Sequence, residues 1–318
     1  MTVRPLRPLA LLLAGALVLT GCAGGGASPA EPTGEPTDEQ SAPPENGEVT
    51  GAEASGAFGE APEFTFSSET PPEGLQVEVL SEGDGAVVEP DAYVLAHYAG
   101  IVWGAEETFD DSYSREAPSM FPLSGVVQGW TEGIPEHAIG SRLLMSIPAD
   151  LGYGPQGGNP NAGIGPDDTI VFVVDLVGAY DAEQTGQADA TEVTPAEELA
   201  VTVNGALGEP ASIAVPEGAT EPGEVATIVL AEGSGEAVAA GDTVVVGFAG
   251  TTWDGASAGS SWTVDGTPGS GPFSNVVGRG SIVDAVVDVP VGSRVLVLAP
   301  AGDGAPASAY VVDVLGAA

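Results

Sequence analysis

The amino-acid sequence predicts an α+β fold built from two copies of one unit, each a twisted antiparallel β-sheet wrapped around a short α-helix. Three observations predict it: short β-branched segments, an internal repeat, and one short helical pattern in the first copy. Many strands with a single short helix are typical of this class. The 318 residues include 47 Gly and 27 Pro, which favours turns and short strands over long helices.

The strands of the first copy are predicted from runs of β-branched and aromatic residues that end at turn signals such as residues 82–85 (Glu-Gly-Asp-Gly). We expect the helix to begin at Gln128 and to end near Ile134, because Gly133 and Pro135 stop it there. We expect the helix of the second copy to be reduced or altered. Strands are expected at residues 76–80, 93–98, 142–147 and 169–176.

The repeat is carried by positions that recur in the same order, most of them at an offset of 150 residues. A period this long indicates duplicated domains rather than a solenoid. We therefore expect one domain at residues 49–180 and a degenerate second domain at residues 199–318. The matched positions include 79–80 with 229–230, 82–83 with 232–233, 99–100 with 249–250, and 140–142 with 292–294.

The first 22 residues are predicted to be a lipoprotein signal peptide. Two arginines precede an apolar stretch at residues 9–19, which ends in Leu-Thr-Gly-Cys at residues 19–22. This ending resembles a bacterial lipobox, and Cys22 is the single cysteine of the chain. We expect lipidation of Cys22 and attachment to the extracytoplasmic face of the cell membrane. An ordinary signal peptide with a chance cysteine is the alternative.

Two segments have the composition of linkers. Residues 23–48 hold five prolines and six acids, with no aromatic residue and no Leu, Ile or Val. Such a segment buries too little apolar surface to offset its chain entropy, so we expect it to be disordered and to act as a spacer. The same argument predicts a second linker at residues 181–198.

The charge excludes several classes of function. The chain has 46 acidic residues and 6 basic ones, for a formal net charge of −40. Such a surface argues against nucleic-acid binding and against electrostatic docking to membranes. One cysteine and two histidines cannot form a Cys or His metal cluster, and the acidic pairs 110–111 and 167–168 lack calcium-loop spacing. We expect no metal and no cofactor.

Five motifs follow one another in the first copy. In this order and spacing they resemble FKBP-type peptidyl-prolyl cis-trans isomerases, over roughly residues 49–180. The resemblance implies a twisted antiparallel sheet on a short helix, the fold that the periodicity predicts independently. The motifs are VLAHYAG at 94–100, TFDDS at 108–112, VVQGW at 126–130, LGYG at 151–154 and IVF at 170–172.

The resemblance implies an aromatic pocket for an X–Pro segment. Trp130 forms its floor, Phe121 contributes to substrate binding, and Asp110 accepts a hydrogen bond from a wall tyrosine. The backbone N–H of Val127 and the hydroxyl of Tyr153 bind substrate carbonyls. The remaining wall and rim residues are Tyr98, Phe109, Phe172, Val126 and Ile164.

Each of these residues also has a purely structural interpretation. Taken singly, the aromatic residues could belong to the core, Asp110 could serve a turn, and Tyr153 could anchor a loop. Their ordered set favours a pocket. Two departures from the family concern specificity: Ser119 stands where another pocket-edge aromatic is expected, and residues 155–161 replace the usual tip of the long loop.

The second copy keeps the strand pattern but loses the chemistry. Phe248 stands at the Tyr98 position, and no tryptophan follows Phe273, so Ile282 or a neighbouring residue takes the place of the floor. Tyr310 matches Phe172. We expect this copy to fold without isomerising proline, and to bind a peptide or partner or to act as a spacer.

These observations predict a peptidyl-prolyl cis-trans isomerase that assists the folding of exported proteins. A non-catalytic peptide-binding, chaperone or scaffold lipoprotein of the same fold is the alternative. The expected partners are proline-containing polypeptides, macrolide inhibitors and, through Cys22, the membrane. We expect no nucleic acid, and we expect a monomer.

Overall fold

A computed structural model of the chain describes residues 45–302 and 304–318. The predicted signal peptide, with Cys22, and residues 23–44 of the predicted linker lie outside the described residues. In the part of the chain that the structure describes, no helix has the length and apolar character needed to cross a membrane.

The first half of the described chain forms a seven-stranded sheet and a separate hairpin. The strands are β1 (Glu45–Asn46), β2 (Ala52–Ala54), β3 (Phe64–Phe66), β4 (Gln76–Ser81), β5 (Tyr93–Val102), β6 (Thr108–Asp111), β7 (Ser119–Pro122), β8 (Arg142–Ile147) and β9 (Ile170–Tyr180). The order in the sheet is β1-β4-β8-β9-β5-β6, with β7 paired to β5, while β2 and β3 form the hairpin. Strand β1 belongs to the end of the predicted linker at residues 23–48 and pairs in parallel with β4, whereas the other pairings of this sheet are antiparallel.

The predicted helix of this half is α1 (Gln128–Gly133), and short 3-10 turns complete the connections. Strands β5 and β9 continue beyond their predicted ends, to Val102 and Tyr180. The 3-10 turns are Tyr113–Arg115, Leu123–Gly125, Ala149–Leu151, Gly154–Gln156 and Pro160–Ala162.

The second half repeats this strand order. Its strands are β10 (Thr191–Glu192), β11 (Thr202–Asn204), β12 (Ser212–Ala214), β13 (Ala226–Glu232), β14 (Thr243–Thr252), β15 (Ala258–Ser260), β16 (Phe273–Val276), β17 (Arg294–Ala299) and β18 (Ser308–Ala317). The order in the sheet is β10-β13-β17-β18-β14-β15, with β16 paired to β14 and with β11–β12 as the separate hairpin. A 3-10 turn at Ile282–Val286 stands where the first half has α1, and another spans Ala196–Glu198.

The predicted linker at residues 181–198 is attached to the second sheet. Strand β10 pairs with the edge strand β13, and the N–H of Gly186 donates to Oδ2 of Asp313 at 2.8 Å. The N–H of Gln187 donates to the carbonyl of Gly292 at 2.9 Å. Composition did not reveal this attachment, because in these bonds the segment itself contributes backbone groups, which every sequence carries.

The first sheet is covered on both faces, which explains why every residue of β8 is buried. On one face, α1 lies very close to the sheet because it carries glycines there. A Cβ at Gly129 would lie 2.9 Å from Cδ1 of Ile147. The β2–β3 hairpin covers the other face with Phe64 and Phe66. The close approach of α1 fixes the height of Trp130 above the sheet.

A buried ion pair holds each hairpin on its sheet. Nη1 of Arg142 donates to Oδ2 of Asp175 at 2.9 Å, and both side chains are almost fully buried. Nη2 of Arg142 also donates to the carbonyl of Glu60, in the hairpin segment. In the second half, Nε of Arg294 donates to Oδ1 of Asp313 at 2.6 Å and forms the corresponding ion pair. The recurring arginine and aspartate of the repeat therefore have a structural role.

Candidate functional site

A cavity of about 320 Å³ opens between α1, the concave face of the first sheet and the loop after β8. All the predicted pocket residues except Ile164 lie on its lining, and Gly125 and Gln156 are additional lining residues that the sequence did not indicate. The lining consists of Tyr98, Phe109, Asp110, Phe121, Gly125, Val126, Val127, Trp130, Tyr153, Gln156 and Phe172.

Five aromatic rings form the floor and walls of the cavity. Trp130 lies at the bottom, with its centroid 5.8 Å from Tyr98, 5.4 Å from Phe121 and 5.2 Å from Phe172. Phe109 meets Phe172 at 5.5 Å with an interplanar angle of 89°. Edge-to-face packing of this kind is a favoured geometry for aromatic pairs. The rings therefore hold one another in place, so the cavity is shaped before any ligand enters.

Gly100 on β5 allows two of these walls to meet. It pairs with Phe172 across β5 and β9 and with Asp110 across β5 and β6. A Cβ at Gly100 would lie 2.5 Å from Cε1 of Phe172 and 2.6 Å from Cζ of Phe109. Only a glycine at this position leaves room for both rings.

A polar network closes one side of the cavity. The hydroxyl of Tyr98 donates to Oδ2 of Asp110 at 2.5 Å. Nη1 of Arg115 donates to Oδ1 of Asp110 at 2.8 Å, and Nη2 donates to the Tyr98 hydroxyl at 2.7 Å. Its guanidinium carbon also lies 5.5 Å from the centre of the Tyr98 ring. Arg115 therefore fixes both polar groups at the mouth of the cavity.

Sequence reasoning missed Arg115. The signal that could have found it is charge: Arg115 follows Asp110 by five residues in a chain that has only six basic residues. A single cation placed so close to a predicted functional carboxylate is a candidate partner for it.

The network keeps its groups in fixed protonation states. Burial, and then the neighbouring Asp110 carboxylate, raise the pKa of Tyr98 to about 12. Burial opposes ionisation of Asp110, but hydrogen bonds from Tyr98 and Arg115 outweigh it and hold the pKa of Asp110 below its usual value. At neutral pH, Tyr98 is therefore a neutral donor and Asp110 is a carboxylate.

Two further donors point to roles in substrate binding. Val127 is the N-cap of α1, with an extended backbone, and its carbonyl accepts from the N–H of Trp130 at 2.9 Å. Among the described residues, the N–H of Val127 has no acceptor partner. Burial raises the pKa of the Tyr153 hydroxyl, so this group is also a donor at neutral pH.

Ile164, predicted at the rim, is not among the residues that line the cavity. It is only 2% exposed and belongs to the same core cluster as Trp130 and Phe172. The loop turns back on itself there, because the N–H of Asn159 donates to the carbonyl of Ile164 at 2.8 Å. Gln156, from the preceding turn, reaches the lining instead.

The described residues contain no group of three or more His, Cys, Asp or Glu side chains that could hold a metal ion. The cavity presents apolar rings, two hydroxyl groups, one carboxylate, the side-chain amide of Gln156 and backbone N–H donors. Such a set can bind an apolar ring and orient a carbonyl group beside it.

The corresponding positions of the second sheet follow from its register. Phe248 pairs with Val312 as Tyr98 pairs with Val174, and Tyr310 lies opposite Gly250 as Phe172 lies opposite Gly100. The position of Trp130 is taken by Ile282. The N–H of Val88 donates to the carbonyl of residue 137, and its carbonyl accepts from the N–H of residue 136. Val238 forms the same two bonds with residues 289 and 288. Counting back seven residues from 137 and from 289 places Ile282 at the position of Trp130.

Comparison with known proteins agrees with this geometry. Residues 85–177 match the family described as FKBP-type peptidyl-prolyl cis-trans isomerase. The chain is 38% identical over 121 residues to a probable FK506-binding protein of Corynebacterium glutamicum, an alignment that covers 38% of this chain and 99% of that protein. It is 38% identical over 120 residues to an FK506-binding protein of Streptomyces anulatus, with 37% of this chain and 96% of that protein covered. The FKBP-type isomerase FkpA of Escherichia coli is also 38% identical, over 117 residues, with 37% and 41% covered.

Proposed function

The chain belongs to the family of FKBP-type peptidyl-prolyl cis-trans isomerases, and from this premise we propose how its pocket carries out the reaction. The protein is a peptidyl-prolyl cis-trans isomerase that assists protein folding. The observation that best supports the assignment of the pocket is its ring cage, closed on one side by Tyr98, Asp110 and Arg115.

The reaction is a rotation about the X–Pro bond. Amide resonance sets a barrier of about 18–20 kcal/mol, and each ~1.36 kcal/mol removed from it gives about tenfold in rate. No covalent bond forms or breaks. The enzyme has only to bind the twisted amide better than the planar one.

The aromatic cage supplies the first part of this preference. The proline ring lies on Trp130, between Tyr98 and Phe172, where the rings exclude water. The planar amide is more polar than the twisted one, because resonance separates its charges. Removing water therefore disfavours the planar form more than the twisted form.

Hydrogen-bond donors supply the second part. The N–H of Val127 and the hydroxyl of Tyr153 bind the carbonyl groups on either side of the proline, and thereby hold the peptide while one bond turns. Asp110 and Tyr98 lie where the rotating carbonyl passes. Since their protonation states are fixed, they act by position and charge and transfer no proton.

We propose that residues 49–180 and 199–318 are two domains of this fold and that the second lacks catalytic activity. The equal strand order of the two sheets supports the duplication. Ile282 in place of Trp130 and Phe248 in place of Tyr98 support the loss of activity. The non-catalytic alternative for the whole chain has no comparable support, because the first cavity retains the full set of rings.

We also propose that the protein is exported and held at the extracytoplasmic face of the membrane by a lipid on Cys22. The basic, apolar and Leu-Thr-Gly-Cys segments of the N-terminus support this. The FK506-binding relatives support macrolide binding in the same pocket. The monomeric state stays a prediction.

A protease-free assay with a short prolyl tetrapeptide tests the proposed roles on the full chain. We expect clear acceleration over solvent, and a loss of about tenfold in Asp110→Asn and in Tyr98→Phe. Asp110→Asn removes the charge that strengthens the hydrogen bonds from Tyr98 and Arg115, and Tyr98→Phe removes the hydroxyl that joins Asp110 to Arg115. Asp111→Asn is the matched control, because Asp111 caps the N–H of Ser114 and does not line the cavity. A folded chain that gives no acceleration contradicts the proposal.

A further inference from the structure

The second sheet carries an apolar groove at the position that corresponds to the first pocket. Its volume is about 630 Å³, against about 320 Å³ for the first cavity. We call it the second groove. Its principal side chains are Val225, Phe248, Phe273, Ile282, Val297 and Tyr310.

Two substitutions between the copies make this groove wide and apolar. Ile282 replaces the tryptophan floor with a smaller side chain. Phe273 pairs with Val246 as Ser119 pairs with Ala96. A phenyl ring therefore stands in the second groove at the register position where the first pocket has a serine.

The second groove lacks the polar network of the first pocket. Gly259 lies opposite Gly250, at the register position of Asp110, and Phe248 has no hydroxyl group. Asp284 is the one acid on the lining, and its carboxylate accepts from the N–H groups of residues 278 and 280 at 2.7 and 2.9 Å. The groove thus offers contact mainly with apolar side chains and lacks counterparts of the Asp110 carboxylate and the Tyr98 hydroxyl.

Part of this apolar surface faces solvent. Val225 is 62% exposed and Phe273 is 37% exposed, although both are large hydrophobic residues. A concave apolar surface that stays open in a chain of net charge −40 is typical of a binding site rather than of a solvated face. The net negative charge of the chain disfavours acidic ligands and favours neutral or basic ones.

The second groove adjoins the first pocket. Nη2 of Arg279 donates to the carbonyl of Arg115 at 3.4 Å. Arg279 precedes Gly280, which lines the second groove, while Arg115 holds Asp110 and Tyr98 of the first pocket. This hydrogen bond joins a residue beside the second groove to the arginine that holds the polar network of the first pocket, so the two sites lie near each other.

We infer that the second groove binds an extended apolar, non-acidic segment of the same unfolded polypeptide whose X–Pro bond occupies the first pocket. The inference rests on the proposed function for the identity of this partner. Occupation of the groove holds the polypeptide near the pocket at high effective concentration. Short prolyl peptides, which reach only the first pocket, gain nothing from it.

Fluorescence anisotropy on the full chain tests the inference with a fluorescein-labelled, proline-free peptide of about twelve Leu, Val, Phe, Ser and Arg residues. The groove variants are Phe273→Ser, which introduces the residue found at the corresponding position of the first pocket, and Val225→Asp. Val225 is mostly exposed, so its variant tests the inference even if Phe273→Ser unfolds in a urea titration. Phe58→Ser is the matched control, because Phe58 is 41% exposed and lies outside the groove.

We expect saturable binding of the peptide, at least tenfold weaker in each folded groove variant and unchanged in Phe58→Ser. Absence of saturable binding overturns the inference, as does equal affinity in wild type and Val225→Asp, or an equal loss in Phe58→Ser. Isomerisation of a short prolyl tetrapeptide by the wild type is measured in parallel. Groove-dependent binding without isomerisation would contradict the proposed function alone, and isomerisation without groove-dependent binding would contradict this inference alone.

Discussion

A single methyl group added at Gly100 should separate the two walls of the pocket. In Gly100→Ala the new Cβ would lie 2.5 Å from Cε1 of Phe172, and 2.6 and 2.8 Å from Cζ and Cε2 of Phe109. Real Cβ atoms do not approach other heavy atoms so closely, so both rings must move. Because the rings interlock with Trp130, their movement alters the cage in which we propose that the proline binds.

The size of the effect follows from overpacking. One extra methyl group in a close-packed site costs about 1–3 kcal/mol of stability. We expect Gly100→Ala to lower the free energy of unfolding in urea by about this amount. We expect the isomerisation rate under folding conditions to fall at least tenfold, which corresponds to about 1.4 kcal/mol of transition-state stabilisation.

The repeat supplies the control. In Gly250→Ala the new Cβ would lie 2.5 Å from Cε1 of Tyr310, the counterpart of Phe172 in the second sheet. We expect a similar loss of stability there, with the rate on a short prolyl tetrapeptide retained. If Gly100→Ala keeps the wild-type rate, or if both variants lose it equally, the assignment of the reaction to the cage of the first sheet is wrong.

Three further predictions concern charges. Arg115→Met should change the free energy of unfolding by less than about 1 kcal/mol, because the ion pair of Arg115 with Asp110 is about half exposed. The same substitution should lower the isomerisation rate several-fold, because it releases Asp110 and Tyr98. Urea titration measures the first effect, and the tetrapeptide assay measures the second. Asp175→Asn should cost about 3–5 kcal/mol in urea titration, because it leaves the buried charge of Arg142 without its partner. A pH profile of kcat/KM should stay flat between about pH 5 and pH 9, since the pKa of Asp110 is lowered and that of Tyr98 is raised to about 12. Because folding raises the pKa of Tyr98 from 10.0 to about 12, its contribution to the free energy of unfolding should be complete below about pH 10. This contribution should be lost as the pH rises from about 10 to about 12, and urea titrations at several alkaline pH values would measure the loss.

Most of the pocket could be predicted from the sequence, because its residues sit on regular elements whose spacing fixes their direction. Tyr98 and Phe172 lie on paired strands, and Trp130 lies on the helix above them. On such elements the spacing of residues fixes which face of the strand or helix each side chain lies on.

The parts that could not be predicted depend on irregular segments. Ile164 is buried because the loop after β8 turns back at Asn159, and Arg115 reaches Asp110 because the 3-10 turn at Tyr113–Arg115 brings it there. The attachment of residues 181–198 to the second sheet uses backbone groups of that segment, which leave no mark in composition.

The second groove illustrates the same limit. The sequence shows Phe248 at the Tyr98 position and no tryptophan after Phe273, but it does not show the open apolar cavity of the second sheet. The register of β16 on β14 is needed to see that Phe273 occupies the position of Ser119.

The most direct test of the central claim is the isomerisation rate of the full chain carrying Trp130→Leu, compared with Trp103→Leu. Both change a tryptophan of the first half to leucine, but Trp130 is the floor of the cage, while Trp103 packs on Phe66 beneath the hairpin. We predict that Trp130→Leu brings the rate on a prolyl tetrapeptide close to that of solvent and that Trp103→Leu, measured while folded, retains the wild-type rate. Full activity in a folded Trp130→Leu protein would contradict the claim that this cage catalyses the rotation.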